Sequence, residues 1–277
     1  MQLEIIKADL FVAIFQHIPK FTDHLNLMFE KERMFVQAIN SSHVVILEIY
    51  LPKEWFTKYE SNGTTIGVNA SLFYKVLKQR EKSQMVRICC EEENKDSMKF
   101  FFTGGKDKTI FDKEFEMPLI DIDVELLEIP HIVHQAELSL STEKFANLIS
   151  QLKEFGDSLE ITCSEEKISL CSHSSENGKM RTEINIDDLE EFSIDEGENI
   201  HMEFALRYLH DICQYQRLTK RIELKISADF PMMILYRLGD SLDIEDLPDE
   251  RTEEIVPSSI WNAPRMVFYL APKMNDE

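Results

Sequence analysis

The stretch LIDIDVELLEIPHIV, residues 119–133, mixes apolar and acidic side chains in a pattern that suits neither a helix nor a regular strand. Its apolar residues favour burial, and they are Leu119, Ile120, Ile122, Val124, Leu126, Leu127, Ile129, Ile132 and Val133. Its acidic residues favour water, and they are Asp121, Asp123, Glu125 and Glu128. A connector that lies along the outside of a folded domain needs both kinds, because one side meets an apolar surface and the other meets solvent. The sequence on either side shows what this stretch connects.

The chain has 277 residues, and a chain of this size favours two domains over one. Its 43% apolar and 10% aromatic content is typical of folded protein. Glu4, Lys7 and Asp9 interrupt the N-terminal apolar residues, so we expect no signal peptide. The apolar runs are far shorter than the roughly 18 residues of a membrane span. The five cysteines lack C-x-x-C spacing, and we expect reduced thiols in an intracellular protein.

The formal charge of −21 would ordinarily argue against binding to nucleic acid. Its distribution changes that conclusion. DDLEEFSIDEGE (187–198) holds seven acids and no base, and DSLDIEDLPDERTEE (240–254) holds eight acids and one base. Both stretches resemble solvated loops. The acidity is therefore expected on surfaces away from a functional face.

Four segments carry the apolar spacing of amphipathic helices, and strand-like alternation fills the chain between them. The helical segments are 10–18, 72–77, 145–155 and 205–213. The third follows the capping pattern Ser141, Thr142, Glu143, Lys144. The order of elements is helix, strands, helix, strands, and then the same again.

This order indicates an internal repeat. The apolar stripes of the first two helices begin 62 positions apart, at Leu10 and Leu72, and those of the last two begin 60 apart, at Phe145 and Ala205. LNLMFEKERMFVQAI in the first half aligns with LEITCSEEKISLCSH in the second. We therefore predict a first domain over 1–118, a connecting loop over 119–134 and a second domain over 135–277.

Two copies of an open sheet unit leave strand edges that invite further pairing. The expected edges are TIFDKEFEM (109–117), which ends the first copy, and KMRTEINI (179–186) in the second. A head-to-tail contact between identical chains removes both edges if the rotation closes into a ring. We expect these two strands to pair between subunits.

Five segments, in order along nearly the whole chain, resemble the proliferating cell nuclear antigen (PCNA) family of DNA sliding clamps. They are INSSHVVILEIYL (39–51), MPLIDIDVELLEIP (117–130), FALRYL (204–209), SADFP (227–231) and FYLAPK (268–273). The resemblance implies an α+β clamp fold of two similar domains, each with two helices packed on antiparallel sheets and joined by an interdomain connecting loop. It also implies a ring of three identical subunits, in which the helices line a hole that holds duplex DNA.

The resemblance further implies a groove beside the connecting loop, where partner proteins dock a short apolar and aromatic motif, the PIP box. Carried over position by position, the groove comprises Ile39, His43, Val44, Ile46, Leu127, Ile129, Pro130, Pro231, Tyr269, Leu270, Ala271 and Pro272. Single residues such as Val44 and Ile46 would otherwise be interpreted as ordinary strand residues. The whole set, with two prolines that cannot donate ladder hydrogen bonds, favours a groove.

The polar faces of the helices are expected to face DNA. On the second and fourth helices, basic and polar residues recur at spacings of three and four, opposite the apolar stripe. The expected DNA-facing residues are Lys20, Lys75, Lys78, Lys82, Lys144, Lys153, Arg207, His210, Arg217 and Lys220. They would meet phosphates by charge without reading bases, which suits sliding.

Two features depart from the family pattern. Val12 and Ala13 lie in the first helix where the family usually has lysines, so this helix is expected to contribute less to DNA contact. An acidic insertion over about 240–265 replaces a short turn. We expect a disordered first half, cleaved by protease near 240–254, and a second half in which Ile255, Val256, Ile260 and Trp261 dock on the clamp or recruit a partner.

The sequence holds no G-x-G-x-x-G, G-x-x-x-x-G-K-[ST] or H-E-x-x-H motif, so we predict no enzyme activity, no cofactor and no metal. The expected partners are duplex DNA of any sequence, a DNA polymerase and other PIP-box proteins, a clamp loader and further copies of this chain, and no membrane. The expected role is processivity in DNA replication and repair, in the nucleus or at the site of replication of a virus. The alternative is a clamp-fold scaffold, or one subunit of a heterotrimeric checkpoint clamp.

Overall fold

The computed structural model describes residues 1–5, 7–90, 96–104, 110–123, 126–130, 132–239 and 263–273. The first half of the chain contains β1 (Gln2–Ile5), α1 (Ala8–Gln16), β2 (His24–Phe29), β3 (Arg33–Ile39), β4 (Val45–Pro52), β5 (Phe56–Glu60), β6 (Thr64–Asn69), α2 (Ala70–Leu77), β7 (Met85–Cys89), β8 (Ser97–Thr103) and β9 (Lys113–Pro118). The second half contains β10 (Ala136–Ser141), α3 (Thr142–Lys153), β11 (Ser158–Cys163), β12 (Lys167–Ser174), β13 (Gly178–Asn185), β14 (Glu191–Ile194), β15 (Ile200–Ala205), α4 (Leu206–Ile212), β16 (Arg221–Ile226), β17 (Met232–Arg237) and β18 (Arg265–Leu270).

The two halves repeat one order of elements. Within the described residues, each half has one strand, a helix, five strands, a second helix and three strands. The four predicted helices and the α+β class are confirmed, and the strand pairs described are antiparallel. The sequence repeat therefore reflects a repeated fold.

The chain forms two compact units that are not continuous in sequence. Unit 1 comprises Met1–Ala38, Glu48–Leu126 and Leu238–Met266, and unit 2 comprises Ile39–Leu47, Leu127–Arg237 and Val267–Glu277. Unit 1 contains the five-stranded sheet β5-β1-β7-β8-β9 and a run of neighbouring strands in the order β4-β3-β2-β6. The corresponding orders in unit 2 are β14-β10-β16-β17-β18 and β13-β12-β11-β15. The domain boundaries predicted from the sequence stay a prediction.

Aromatic residues fill the core of unit 1. The ring centroids of Phe11 and Phe15 on α1 lie 4.9 Å apart, and Phe73 on α2 lies 4.8 Å from Phe15 and 5.7 Å from Phe100 on β8. All four side chains are buried. These contacts fix the apolar stripes of both helices on the sheet and leave their polar faces outside.

The core of unit 2 is built in the same way. Tyr215, just after α4, lies 5.5 Å from Phe268 on β18 and 6.3 Å from Tyr236 on β17. The hydroxyl of Tyr236 donates a hydrogen bond of 3.1 Å to the backbone carbonyl of Ile212. Burial raises the pKa of Tyr236 far above its usual value, so this hydroxyl stays a hydrogen-bond donor.

Side-chain caps begin two of the helices. Ser141 accepts a hydrogen bond of 3.4 Å from the backbone N–H of Lys144, which confirms the capping pattern predicted for α3. Asn69 does the same for α2, accepting from the backbone N–H of Leu72 at 2.9 Å. The five cysteines are free thiols. Within the described residues, none of the helices has the length and apolar character to cross a membrane.

Both predicted edge strands lie at the ends of their sheets. β9 ends the five-stranded sheet and β13 ends the four-stranded sheet. The predicted 109–117 is shorter in the structure, because regular pairing with β8 begins only at Lys113. The second edge extends over Gly178–Asn185, one residue earlier than predicted.

The acidic insertion falls almost wholly outside the described residues, of which only 263–265 belong to it. The predicted docking residues Ile255, Val256, Ile260 and Trp261 are among those that the structure does not describe.

Candidate docking surface and DNA-facing helices

The first part of the connector lies directly on a sheet of unit 1. Ile120 donates a backbone hydrogen bond of 3.0 Å to the carbonyl of Gly67 on β6, and the two residues form an antiparallel bridge. A Cβ atom at position 67 would lie 2.2 Å from the carbonyl oxygen of Ile120 and 2.9 Å from the Ile122 side chain. The side chain of Asn26 donates a further bond of 3.3 Å to the Ile122 carbonyl. A glycine at position 67 therefore permits this close approach.

The second part of the connector exposes its apolar side chains. Leu126 is 52% exposed, Leu127 is 44% exposed and Val133 is 93% exposed. Ile129 is half-buried and Pro130 is exposed. Apolar groups left in water on a folded chain mark a candidate contact surface.

The turn between β3 and β4 presents a second group of predicted groove residues in unit 2. Buried Asn40 accepts hydrogen bonds from the backbone N–H groups of Val44, at 2.9 Å, and Val45, at 3.0 Å. His43 has a φ of 55°, a left-handed conformation that the Asn40 bonds hold in place. His43 is exposed, and Ile39, Val44 and Ile46 are half-buried.

Two hydrogen bonds with Gln135 hold the loop before β17 in place. The side-chain oxygen of Gln135 accepts from the N–H of Ala228 at 2.7 Å, and the Gln135 N–H donates to the hydroxyl of buried Ser227 at 3.1 Å. This anchoring leaves Phe230, 41% exposed, beside exposed Pro231. Sequence reasoning included Pro231 in the groove and missed Phe230, although SADFP places a large aromatic residue directly before that proline.

The side chain of Tyr269 on β18 packs partly on the core of unit 2. Its half-buried ring packs against a buried cluster formed by Met233, Leu235 and Val267. Leu270 stays a predicted groove residue, but its side chain is 0% exposed, so a docked partner would meet only its backbone. Ala271 follows on the same strand face as Tyr269 and donates a backbone hydrogen bond of 2.9 Å to Val44. Two parts of the predicted groove are thereby brought together.

Lys273, the last residue of the FYLAPK segment, forms an ion pair. Lys273 contacts the carboxylate of Glu203 on β15 at 3.1 Å and the hydroxyl of Ser158, and its backbone N–H donates to the Glu203 carbonyl at 2.7 Å. A side-chain hydrogen bond with Ser158, and then the contacts of Lys273, lower the pKa of Glu203 below its usual value. Half-buried Pro272 therefore lies between two residues, Ala271 and Lys273, whose backbone N–H groups are both hydrogen-bonded.

In unit 1 the predicted DNA-facing cations lie just after α1 and on or just after α2. Lys20, Lys75, Lys78 and Lys82 are all exposed. α1 packs against α2 but presents Asp9 and Gln16 to solvent, with half-buried Val12 and Ala13 between them. Arg80 is drawn back to this surface by an ion pair with Asp9. Three of these exposed lysines thus lie on α2 or just after it, and Lys20 ends the short helix that follows α1.

In unit 2 both helices contribute. Lys144 and Lys153 on α3 are exposed, as are Arg207 on α4 and Arg217 and Lys220 after it. The Nζ of Lys153 and the Nδ1 of half-buried His210 lie 3.4 Å apart, which joins the polar faces of α3 and α4. Arg207 lies 4.4 Å above the Tyr208 ring. Exposed cations on packed helices can meet phosphate groups without any base contact.

The two edge strands carry opposite charges on their exposed faces. On β9 the exposed residues include Glu114 and Glu116, and on β13 they include Lys179 and Arg181. Glu183 of β13 is paired with Lys167 on β12 at 2.7 Å, which neutralises the one acid of that strand. Phe111, just before β9, is 83% exposed. An acidic edge with an exposed aromatic residue complements a basic edge.

Comparison with family models gives two matches. The model described as "Proliferating cell nuclear antigen, N-terminal domain" matches residues 1–126, and the model described as "Proliferating cell nuclear antigen, C-terminal domain" matches residues 128–246. The two matches meet inside the connector, at the point where its packed part gives way to its exposed part. The assignment of particular residues to docking and to DNA stays a prediction.

Proposed function

Since the chain belongs to the proliferating cell nuclear antigen family, we propose that it is a replicative DNA sliding clamp. Three copies would close into a ring around duplex DNA and tether a DNA polymerase and other PIP-box proteins during replication and repair. The presence of both family domains in one chain supports a sliding-clamp type of function. The clamp would hold other enzymes on DNA and carry out no reaction of its own.

The complementary edges carry this proposal. Each subunit has β9 at the end of one sheet and β13 at the end of another, so one β9 can add to the β13 of the next copy. Glu114 and Glu116 would then face Lys179 and Arg181 across the new pair of strands. The contact is head-to-tail, and such contacts form rings when the rotation closes.

Retention on DNA would come from the closed ring, and the basic helices would only tune it. Each exposed lysine or arginine that meets a phosphate releases counterions, so strong contacts would bind tightly but hinder movement. A sparse set of cations such as Lys75, Lys78, Lys153 and Arg207 suits a ring that slides. A closed ring also requires a clamp loader to open it, and its place of action would be the nucleus or a viral replication site.

The docking surface of unit 2 would receive the PIP box. Tyr269 offers an anchored aromatic ring, Phe230 and Leu127 offer exposed apolar area, and Ala271 joins the strand end to Val44. Interface energies concentrate on a few such aromatic and apolar anchors. Acidic residues around them favour a partner segment with basic flanks.

The alternative is a scaffold or a checkpoint-clamp subunit that does not act in processive synthesis. The sparse charge of α1, where Asp9 and Gln16 face solvent, favours this alternative. Such a subunit would not form rings from identical copies.

A threading experiment separates topological linkage from electrostatic binding. The protein is mixed with a linear duplex fixed to a bead at one end, the free end is then blocked with a bulky protein, and the bead is washed at high salt. High salt removes electrostatic contacts but cannot remove a closed ring. We expect protein to stay on the blocked duplex and to leave when a restriction enzyme cuts it.

The matched control is the same duplex with its free end left open. A ring slides off this DNA during the wash, whereas a surface-bound protein leaves both duplexes equally. Equal loss, or equal retention, on open and blocked DNA would contradict the sliding-clamp proposal.

A further inference from the structure

A glutamate, a cysteine and a histidine converge on one sheet of unit 2. Glu160 on β11 is the cross-strand partner of Cys171 on β12, and His173 lies two residues further along β12, on the same face as Cys171. The Nδ1 of His173 lies 3.3 Å from a carboxylate oxygen of Glu160. One ligand atom from each of the three residues lies within 4.8 Å of the others.

The three side chains differ in exposure in a way that suits a half-open site. The Cys171 thiol is buried, Glu160 is half-buried and His173 is exposed. The sulfur therefore forms the floor of the cluster and the imidazole its solvent side.

The chemistry of the donors selects the class of metal. Thiolate and imidazole are ligands of Zn²⁺ and related transition metals, whereas Ca²⁺ and Mg²⁺ require oxygen ligands. Ligand atoms of a tetrahedral zinc ion are about 3.3–3.8 Å apart, as follows from zinc–ligand distances of about 2.0–2.3 Å. The 3.3 Å between His173 and Glu160 fits such a tetrahedron directly.

The charges around the cluster are mixed. Glu203 on β15 is the cross-strand partner of Glu160, and its carboxylate binds Lys273. On the other side, Arg181 and Lys179 of β13 are the cross-strand partners of Cys171 and His173, and both extend to solvent. Water can supply the fourth ligand.

We propose that Glu160, Cys171 and His173 bind one Zn²⁺ ion per chain and thereby link β11 to β12. β12 pairs with β13, the edge that the proposed ring would use, so the ion would stabilise the sheet beside that edge. The site needs neither ring formation nor DNA, and its test is independent of the clamp function.

The test is a metal titration of the full-length protein after removal of bound metal with a chelator. Zn²⁺ is titrated in competition with a coloured chelator, and Co²⁺ is added separately as a spectroscopic probe. We expect one Zn²⁺ per chain, a rise in the melting temperature with Zn²⁺, and a sulfur-to-cobalt charge-transfer band in the near ultraviolet.

Two variants and one control assign the ligands. His173→Asn changes an exposed side chain and should fold normally, and Cys171→Ser should remove the charge-transfer band. Each should weaken Zn²⁺ binding by more than the about 10–100-fold that residues outside the ligand set contribute. His201→Asn alters another exposed histidine, on β15 of the same sheet, and should leave binding unchanged.

The opposite results overturn the proposal. If the wild-type protein binds no Zn²⁺, or binds it as tightly after His173→Asn, then His173 and Glu160 form only an ion pair. A cobalt complex without the charge-transfer band would exclude Cys171 as a ligand.

Discussion

The two parts of the connecting segment have similar compositions and opposite surroundings. In the first part, Ile120 and Ile122 lie half-buried against Gly67 of β6, and the backbone of Ile120 is bonded to that glycine. In the second part, Leu126 and Leu127 are both largely exposed. The difference shows that apolar content alone does not decide whether a connector packs on its own chain.

The physical cause of the difference is local. The first part lies against Gly67, a strand residue without a side chain. Its backbone can therefore bond to β6 while its isoleucine side chains are half-buried. The exposed part keeps its apolar area in water, at a cost of roughly 25 cal/mol for each Å² that could be buried. A folded chain that retains such a surface offers it to a partner.

Gly67→Ala should disturb the packed part of the connector more than any other single change. The added Cβ would lie 2.2 Å from the Ile120 carbonyl oxygen, so the first part must leave the sheet or push it apart. We expect the free energy of unfolding to fall by about 1–3 kcal/mol, as for other overpacked sites, measured by urea denaturation. Gly239→Ala is the control, because among the described residues its Cβ would meet only Pro264, at 3.9 Å. Equal stability of both variants would contradict the packing described for Ile120.

Leu127→Ser tests the exposed part of the connector. Because this side chain is already in water, its loss should leave stability within about 0.5 kcal/mol of the wild type. Affinity for a synthetic PIP-box peptide, measured by fluorescence anisotropy, should fall about 10-fold if the leucine is buried by the peptide.

The neighbouring Leu126→Ser is the matched control for this change. Leu126 is 52% exposed against 44% for Leu127, yet only Leu127 belongs to the predicted groove. We expect less than a threefold loss of peptide affinity for Leu126→Ser. The same loss for both leucines would show that the groove is less specific than predicted.

Phe230→Ala extends the test to the loop before β17. The ring is 41% exposed beside Pro231, so the peptide would cover only part of it. We expect a loss of peptide affinity of about three- to tenfold, with little change in stability. Met85→Ala, which removes an exposed apolar side chain of unit 1, should not alter peptide binding. An unchanged affinity for Phe230→Ala would remove this residue from the docking surface.

The smallest expected effect concerns pH. The pKa of Glu203 is lowered in the folded protein, so its contribution to stability is present above its usual value and is lost as pH falls through the lowered pKa. Acidification should therefore loosen Lys273 and the strand end at Pro272. The contribution should be below about 1 kcal/mol. Comparing the pH dependence of unfolding in the wild type and in Lys273→Met measures it, and identical profiles would contradict the role given to this pair.

Periodicity predicts the framework of this fold well. The apolar stripes identify the four helices, because burial of one face imposes a period on any sequence. The two helices of each half begin at similar spacings, 62 and 60 positions, and this similarity identifies the repeat. The edge strands follow from the same repeat. Individual contacts produce no periodic pattern in the sequence. The sequence therefore does not predict that Asn69 caps α2, or that Gly67 permits the close approach of the connector.

The groove prediction does not separate side chains that face solvent from those that face the core. FYLAPK was carried over as a contiguous run, but successive residues of a strand face opposite sides. Tyr269 and Ala271 therefore lie on one face, while Leu270 faces the core with Phe268. The cluster of Glu160, Cys171 and His173 was equally hidden, because only the register of β11 with β12 brings these residues together.

The central claim is that identical chains close into a ring through β9 and β13. Light scattering over a concentration series measures it most directly, with the double variant Lys179→Glu and Arg181→Glu as a test of the edges. We expect the mass of three chains for the wild type and dissociation of the variant, because like charges would then face each other across the strands. A wild-type monomer that persists at high concentration would contradict the ring and favour the alternative role in a heteromeric clamp.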